Sequence, residues 1–447
     1  MHIDFLLNVF NEYMSTDAII WRDTNYSYKY LTKNIEKLTE FIESQQLERG
    51  AIVAVIGDFS PNSIALLLTL IQKEFIIVPL TKSSNVNEHK LFAIAKVEFA
   101  FRISDEDKVS GEYVSERVDH EYYTKIRRRD HPGLVLFTSG SSGEPKAAVH
   151  DFLALLEKFR TRRGSLKTLN FLLFDHWGGL NTMFHILSNG GTVITTTNRN
   201  PENVCKLIEL HKIELLPASP TFLNLMLISG VHEDYDNSSL KIISYGTEPM
   251  PESTLMRLKS TFPDVKLLQT YGLIELGVMR SKSENNDSLW VKVGGEGYST
   301  RVADGMLEIK ADSAMIGYLN SPSPFTLDGW FKTGDAVEVK GEYVKILGRK
   351  SEIINVGGEK VYPQEVENVI LQMNDVAEVT VFGEKNPIMG NIVCAEVRLK
   401  NCDENKKIFI SNLKTHCRAN LSGYKVPVKI KIVKNVAHSE RFKKARI

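Results

Sequence analysis

Cysteine is scarce in this chain: Cys205, Cys394, Cys402 and Cys417 are the four present in 447 residues. Their spacing gives neither paired metal-ligand positions nor a disulfide framework, which excludes a disulfide-stapled scaffold and makes a reducing, cytoplasmic setting the expectation. An excess of charge is also missing, since 55 Lys and Arg balance 55 Asp and Glu. No long-range field favours a polyanionic partner, so nucleic acid is not expected. The local run KIRRRD, Lys125 to Asp130, reads as a solvated loop. Long apolar runs are absent too: no window approaches the roughly 18 uncharged apolar residues of a membrane span. The N-terminal MHIDFLLNVFNEYM carries Asp4, Asn8 and Glu12 in an amphipathic pattern, and therefore reads as a helix and not as a signal peptide. No internal repeat or low-complexity segment stands out.

What the chain does have is length for two or more cores and a regular alternation. Between about residues 50 and 272, the apolar runs AIVAVIG (51–57), FIIVPL (75–80), GLVLFTS (133–139), LNFLLF (169–174), GGTVITT (190–196), LKIISYG (240–246) and VKLLQT (265–270) alternate with segments of helical period. Such runs are buried strands of a largely parallel sheet in α/β layers. NSIALLLTLIQKE and NPENVCKLIELHK are helix candidates, the second with Asn200 as cap and Pro201 at its first position. The last hundred residues read as a small α+β domain: helix EVENVILQM, strands VAEVTVFGE and NIVCAEVRLK, a helix near 405–420 and strand VKIKIVKNV. Composition places the boundary near Gly348 to Ser351, dividing the chain into 1–348 and 349–447.

Directly after one apolar run comes LFTSGSSGEPKAA, Leu136 to Ala148. Glycines let backbone N–H groups approach an anion, Thr138, Ser139, Ser141 and Ser142 add hydroxyls, and Lys146 adds a positive charge. The apolar positions Phe152, Leu155, Leu156 and Phe159 that follow have helical spacing. A phosphate cradle and a polar surface loop are both compatible with this stretch. It is not a Walker A loop, because Lys146 follows Pro145 and no Ser or Thr follows the lysine.

TSGSSGEPK resembles the phosphate loop of the adenylate-forming superfamily of acyl- and aryl-CoA synthetases, nonribosomal-peptide adenylation domains and luciferases. YGLIE (271–275), GMLEIKADSAMIGYL (305–319), GWFKTGD (329–335), GRKSEIINVGGEKVYPQEVE (348–367) and RFKKAR (441–446) match the same family in order. The resemblance implies a large N-terminal domain of layered α/β subdomains with a small mobile α+β C-terminal domain. It implies a two-step reaction in which a small carboxylic acid attacks ATP to give acyl-AMP and pyrophosphate, and a thiol then takes the acyl group.

Roles carry over residue by residue. Thr138, Ser139, Gly140, Ser141, Ser142 and Gly143 would wrap the β- and γ-phosphates, with Lys146 beside them. Glu275 would hold Mg2+, a hard ion suited to carboxylate and phosphate oxygens. Tyr271 would stack on adenine and Gly246 would let the ligand approach the backbone. Asp335 would accept both ribose hydroxyls with Arg349 helping to hold the sugar; a salt bridge between the two is the plainer reading. Lys443 would bridge the reacting carboxylate and α-phosphate, where its charge offsets that of the transition state. Ser351 would be the hinge about which the small domain rotates, and Gly357 and Gly358 would pass the pantetheine arm of CoA or of a carrier-protein phosphopantetheine.

The acid pocket is expected around FDHWGGLNTMFHIL (174–187), SYGTEPM (244–250) and the residues after Tyr271, with Asp175, His176, Trp177 and Tyr245 as candidates. One alignment puts His176 on the histidine of aryl- and acyl-CoA ligases; a one-residue shift puts Asp175 on the aspartate that grips an amino acid. Gly178 and Gly179 are read as leaving room beside Trp177. The chain departs from the family in having Ile274 before the glutamate, Phe442 before the terminal lysine, and compressed segments before residue 50 and between 80 and 133. A stand-alone amino-acid adenylation enzyme loading a peptidyl carrier protein, and a nucleotide-binding paralogue without catalysis, are the competing readings.

Overall fold

The computed structural model describes residues 2–82, 87–139, 144–400 and 406–434, with Val436. Ile52–Ile56, Ile76–Leu80, Phe99–Ile103 and Gly133–Ser139 lie parallel in one seven-stranded sheet, with antiparallel strands at its edges. Their side chains explain the unbroken apolar runs. Val53 and Val55 point into one core while Ile52, Ala54 and Ile56 enter another, so both faces of the strand are covered. A second seven-stranded sheet is parallel apart from its edge strand Thr24–Ser27 and includes Asp17–Trp21, Val193–Thr195 and Ile242–Tyr245. The run at 169–174 contributes only its start, in Thr168–Asn170.

One core joins these two sheets. Val53, Val55, Leu134 and Leu136 from the first and Ile19 and Val193 from the second enclose Tyr28–Ser44, Pro61–Gln72 and Trp177–Leu187. Helix Pro61–Gln72 starts where Ser60 and Ser63 cap each other's backbone N–H groups. Its apolar residues face inward all round, as befits a helix between sheets. Asn200 caps Pro201–His211 through the Asn203 N–H. The N-terminal helix is Asp4–Glu12, burying Leu6, Val9 and Phe10.

One expectation requires correction, and one strand went unread. KIRRRD is not a solvated loop: Arg127 ends helix Glu121–Arg127, pairs with buried Glu98 at 3.0 Å and donates to the Gly50 carbonyl at 2.9 Å. The segment after the Ser/Gly-rich loop is first a strand and only then a helix. Pro145–Asp151 runs antiparallel to Gly133–Ser139, and helix Phe152–Leu156 begins after it. The two strands therefore form the arms of a β-hairpin, with residues 140–143 between them outside the described residues.

Residues 280–349 form a six-stranded antiparallel sheet ending in Phe331–Lys340 and Tyr343–Arg349. The chain then passes through the short turn Lys350–Glu352 into a five-stranded sheet covered by helices Pro363–Ile370 and Lys406–Asn420. Gly357 and Gly358 occupy the tight turn between Ile354–Val356 and Glu359–Val361, with φ of +59° and +92°. That left-handed backbone favours glycine whatever passes nearby. The small sheet meets the large part where Asn224 Nδ2 donates to the Ala377 carbonyl at 3.4 Å. Cys205, Cys394 and Cys417 are buried and free.

Candidate active site

Three pieces of β-structure converge on one cleft. Across the hairpin, Thr138 stands in register with Lys146. Asn320 fixes the second strand, donating to the Pro145 carbonyl at 2.8 Å and accepting from the Ala147 N–H at 3.0 Å. Glu275 lies in the turn between the paired Leu273 and Gly277, a turn tied down where the Met315 N–H donates to the Glu275 carbonyl at 2.7 Å. The third piece is the strand pair that sets Asp335 opposite Arg349. Thr138, Lys146, Glu275, Tyr318, Arg349 and Ser351 line a cleft of about 420 Å³. Ser139 ends its strand; Gly140, Ser141, Ser142, Gly143, Phe442 and Lys443 lie outside the described residues.

Asp335 is buried, and both of its oxygens are engaged. The Tyr271 hydroxyl donates to Oδ2, and Arg349 Nε lies 3.3 Å from Oδ1. Burial, then the charge of Asp335, pushes the Tyr271 phenol well above its ordinary pKa. Burial opposes the charge on Arg349, yet Asp335, Glu275 and Tyr271 outweigh it and hold that pKa above the usual value. The Tyr271 ring packs among Leu276, Met279 and Phe331, leaving only 7% of the residue exposed. Gly246 is required by packing: a Cβ there would sit 2.4 Å from Thr270 Oγ1.

Tyr318 was not assigned a role from the sequence, although it lies in the matched segment GMLEIKADSAMIGYL. Its hydroxyl donates to Glu275 Oε1, and its ring lies 5.6 Å from Lys146 Nζ. Burial and the neighbouring Glu275 charge raise its pKa. It thus holds the carboxylate and the ammonium in fixed relation. Tyr318→Phe removes one hydrogen bond to a charged group, worth about 1.5–3 kcal/mol. We expect about a tenfold loss in kcat/KM for nucleotide-dependent turnover with an unchanged circular-dichroism spectrum; a variant of wild-type activity would contradict this positioning role.

Among the described residues, no group of three or more His, Cys, Asp or Glu could hold a metal. Glu275 alone, beside Thr138 and Lys146, suits a cation that takes most of its ligands from phosphate and water, as Mg2+ does.

Behind the Glu275 turn a second cavity of about 590 Å³ opens, with Leu155, Lys158, Trp177, Asn181, His185 and Val278 in its lining. Trp177 lines this cavity. His176 instead caps helix Trp177–Leu187, its Nδ1 accepting from the Gly178 N–H at 3.0 Å, and Asp175 Oδ2 accepts from Thr81 Oγ1 at 3.5 Å. Tyr245 packs in the core beneath the second sheet, and Glu248 and Pro249 of SYGTEPM border the small domain. Gly178 and Gly179 leave no space: a Cβ would meet Leu172 Cδ1 at 2.6 Å and the Leu173 carbonyl oxygen at 2.3 Å respectively. These glycines let the helix pack against residues 172–173, and room for a ligand comes from elsewhere.

Next to the Glu275 turn lies His150, fully buried beside the backbone of Ile274 and Ser313. Burial lowers its pKa to about 4 from an ordinary 6.5. The unfolded chain therefore takes up a proton over that interval while the folded chain does not, and stability falls as pH drops from 6.5 towards 4. The slope is about 1.4 kcal/mol per pH unit, roughly 3 kcal/mol in all. Urea unfolding at pH 7 and pH 5 should show this loss, and His150→Leu should reduce it; an identical loss in the variant would remove His150 as its source.

A large layered α/β part, a small α+β part and a nucleotide-sized cleft where they meet define the adenylate-forming class. The chain belongs to the AMP-binding enzyme family: the family model matches residues 8–304, and that of the AMP-binding enzyme C-terminal domain matches 365–443. It is 28% identical over 322 residues to a 2-succinylbenzoate–CoA ligase of Listeria monocytogenes, covering 68% of this chain and 66% of that enzyme, just under two thirds of its length. It is also 28% identical to an indoleacetate–CoA ligase of Aromatoleum aromaticum, over 85% of this chain and 84% of that one. An anthranilate CoA ligase in complex with anthranoyl-AMP superposes with a TM-score of 0.82 at 17% identity, covering 99% and 95% of the two chains. ATP-bound MatB from Rhodopseudomonas palustris gives 0.81 at 21%, covering 99% and 97%. No described helix is long and apolar enough to cross a membrane.

Proposed function

We propose that the chain is an AMP-forming acid–thiol ligase: it activates a small aryl or acyl carboxylic acid with ATP and passes the acyl group to a thiol. The observation that carries this reading is the single cleft shared by Thr138, Lys146, Glu275 and Arg349, with Asp335 held at its wall. A carboxylate oxygen of the acid attacks the α-phosphorus of ATP and pyrophosphate leaves, giving acyl-AMP; the thiol sulfur then attacks the acyl carbon and AMP leaves. Thr138, Ser139 and the Gly140–Gly143 loop, with Lys146, hold the departing phosphates. Asp335 takes the ribose hydroxyls with Arg349, Gly246 and Tyr271 border the base, and Lys443 neutralises charge between carboxylate and α-phosphate. Glu275 would hold Mg2+, which would supply charge neutralisation on the phosphate oxygens.

Arg349 ends the strand Tyr343–Arg349, and Ser351 sits in the turn that follows. That continuity supports a hinge at Ser351 between units 1–348 and 349–447, with the Gly357–Gly358 turn reaching the thiol arm after rotation. Mass spectrometry of acyl-AMP formed from a broad acid library, followed by CoA or carrier-protein phosphopantetheine, tests both steps. Acyl-AMP from at least one acid and thioester on adding a thiol are expected. ATP binding with no acyl-AMP from any acid would establish the non-catalytic reading, and products from α-amino acids alone would establish the peptidyl-carrier one.

A further inference from the structure

The second cavity holds an ammonium group with no carboxylate beside it. Lys158, in the short turn Glu157–Phe159, is only partly exposed; its Nζ donates to the Val278 carbonyl at 2.8 Å and lies 5.1 Å from the Phe159 ring. Among the described residues it has no ion-pair partner, and the charges that act on it, Arg163 and Arg280, are both positive. His185 faces the same cavity, next to Arg163 and Lys158. The acids in the lining do not neutralise this wall. Glu157 is paired with Arg160 at 2.8 Å, Glu296 faces Arg280 at 3.7 Å, and Asp312 is exposed. The rest of the lining includes the apolar Leu155, Phe159, Trp177 and Val278, and the volume, about 590 Å³, is that of a small-molecule site.

Resting on the acid-activating reading above, we propose that the acid bears a second anionic group, a carboxylate, held by Lys158 with Arg163 and His185, while its apolar body lies against Trp177 and Leu155. The first carboxylate would then face the Glu275 turn, since Gly277 and Val278 of that ribbon form the shared wall. Burial, with Arg163 and Arg280 nearby, brings the Lys158 pKa down to about 7. An anion at this position restores the charged form and gains a charge-assisted hydrogen bond that a neutral group of equal size does not.

The test pairs a panel of aryl and alkyl dicarboxylic acids with their monoamides, measuring ATP-dependent pyrophosphate release by the full chain. The wild-type protein should favour the best dicarboxylate over its monoamide by at least tenfold in kcat/KM. Lys158→Met should bring that ratio close to one, and Lys158→Arg should keep it well above one. A wild-type ratio near one, or a ratio that survives Lys158→Met, overturns the proposal. Calorimetric titration of the same acids without ATP separates the two levels of inference. Dicarboxylate binding that depends on Lys158 without pyrophosphate release from any acid would retain this site and reject the adenylating function; binding indifferent to the second carboxylate would reject the site itself.

Discussion

Glu275→Gln should lower acid-dependent pyrophosphate release by about 10²–10³-fold, equivalent to about 3–4 kcal/mol of transition-state stabilisation, without disturbing the fold. Glutamine has nearly the same shape, and its amide oxygen still accepts from the Tyr318 hydroxyl that now donates to Glu275 Oε1. The backbone of the turn remains tied to Met315. What disappears is the negative charge proposed to face a hard cation, and no other cluster of acidic or His/Cys ligands among the described residues can replace it. Stopped pyrophosphate assays across a magnesium titration measure the loss. Activity within tenfold of wild type at every magnesium concentration would remove Glu275 from the metal site.

The second large effect is expected at Asp335, where stability and nucleotide binding can be separated. Asp335→Ala leaves the buried Tyr271 hydroxyl without its acceptor, a cost of about 1–3 kcal/mol in folding free energy. Losing the two proposed charge-assisted contacts to ribose, each about 1.5–3 kcal/mol, should weaken ATP binding by roughly 100-fold or more. Asp335→Asn keeps an acceptor for Tyr271 but loses the charge, so its unfolding midpoint should stay close to wild type while ATP affinity still falls. Urea unfolding and ATP titration of both variants check the two parts. Wild-type ATP affinity in Asp335→Asn would show that the carboxylate serves only Tyr271 and Arg349.

The parallel strands were legible because burial on both faces makes them continuous apolar words, as in Ile52–Ile56 with its two cores. Helix caps such as Asn200 were equally plain, their chemistry being local. Pro145–Asp151 was hidden because it leads straight into a helix and its partners on either side, Gly133–Ser139 and the distant Gly317–Tyr318, are set by the fold. The six-stranded sheet of residues 280–349 was also silent; its outer strands, such as Arg280–Ser283, are polar and half exposed. In the cleft, Glu275, Lys146, Asp335 and Arg349 could be picked out by motif, whereas Tyr318 acts through contacts made at long range. Lys158 was harder still: in LLEKFRTRRG it looks like one more solvated base, and only the fold turns it inward towards Val278.

The double engagement of Asp335 bears on turnover. Tyr271 and Arg349 each take only part of the acceptor capacity of its two oxygens, so a nucleotide sugar held there as proposed would add to contacts that the protein already makes with itself. Departing AMP would leave those internal partners in place, so emptying the site would leave no bare buried carboxylate behind. The proposed grip on ribose would thereby be a difference between two satisfied states, a balance that would favour letting product go over holding any nucleotide as tightly as its contacts alone would allow.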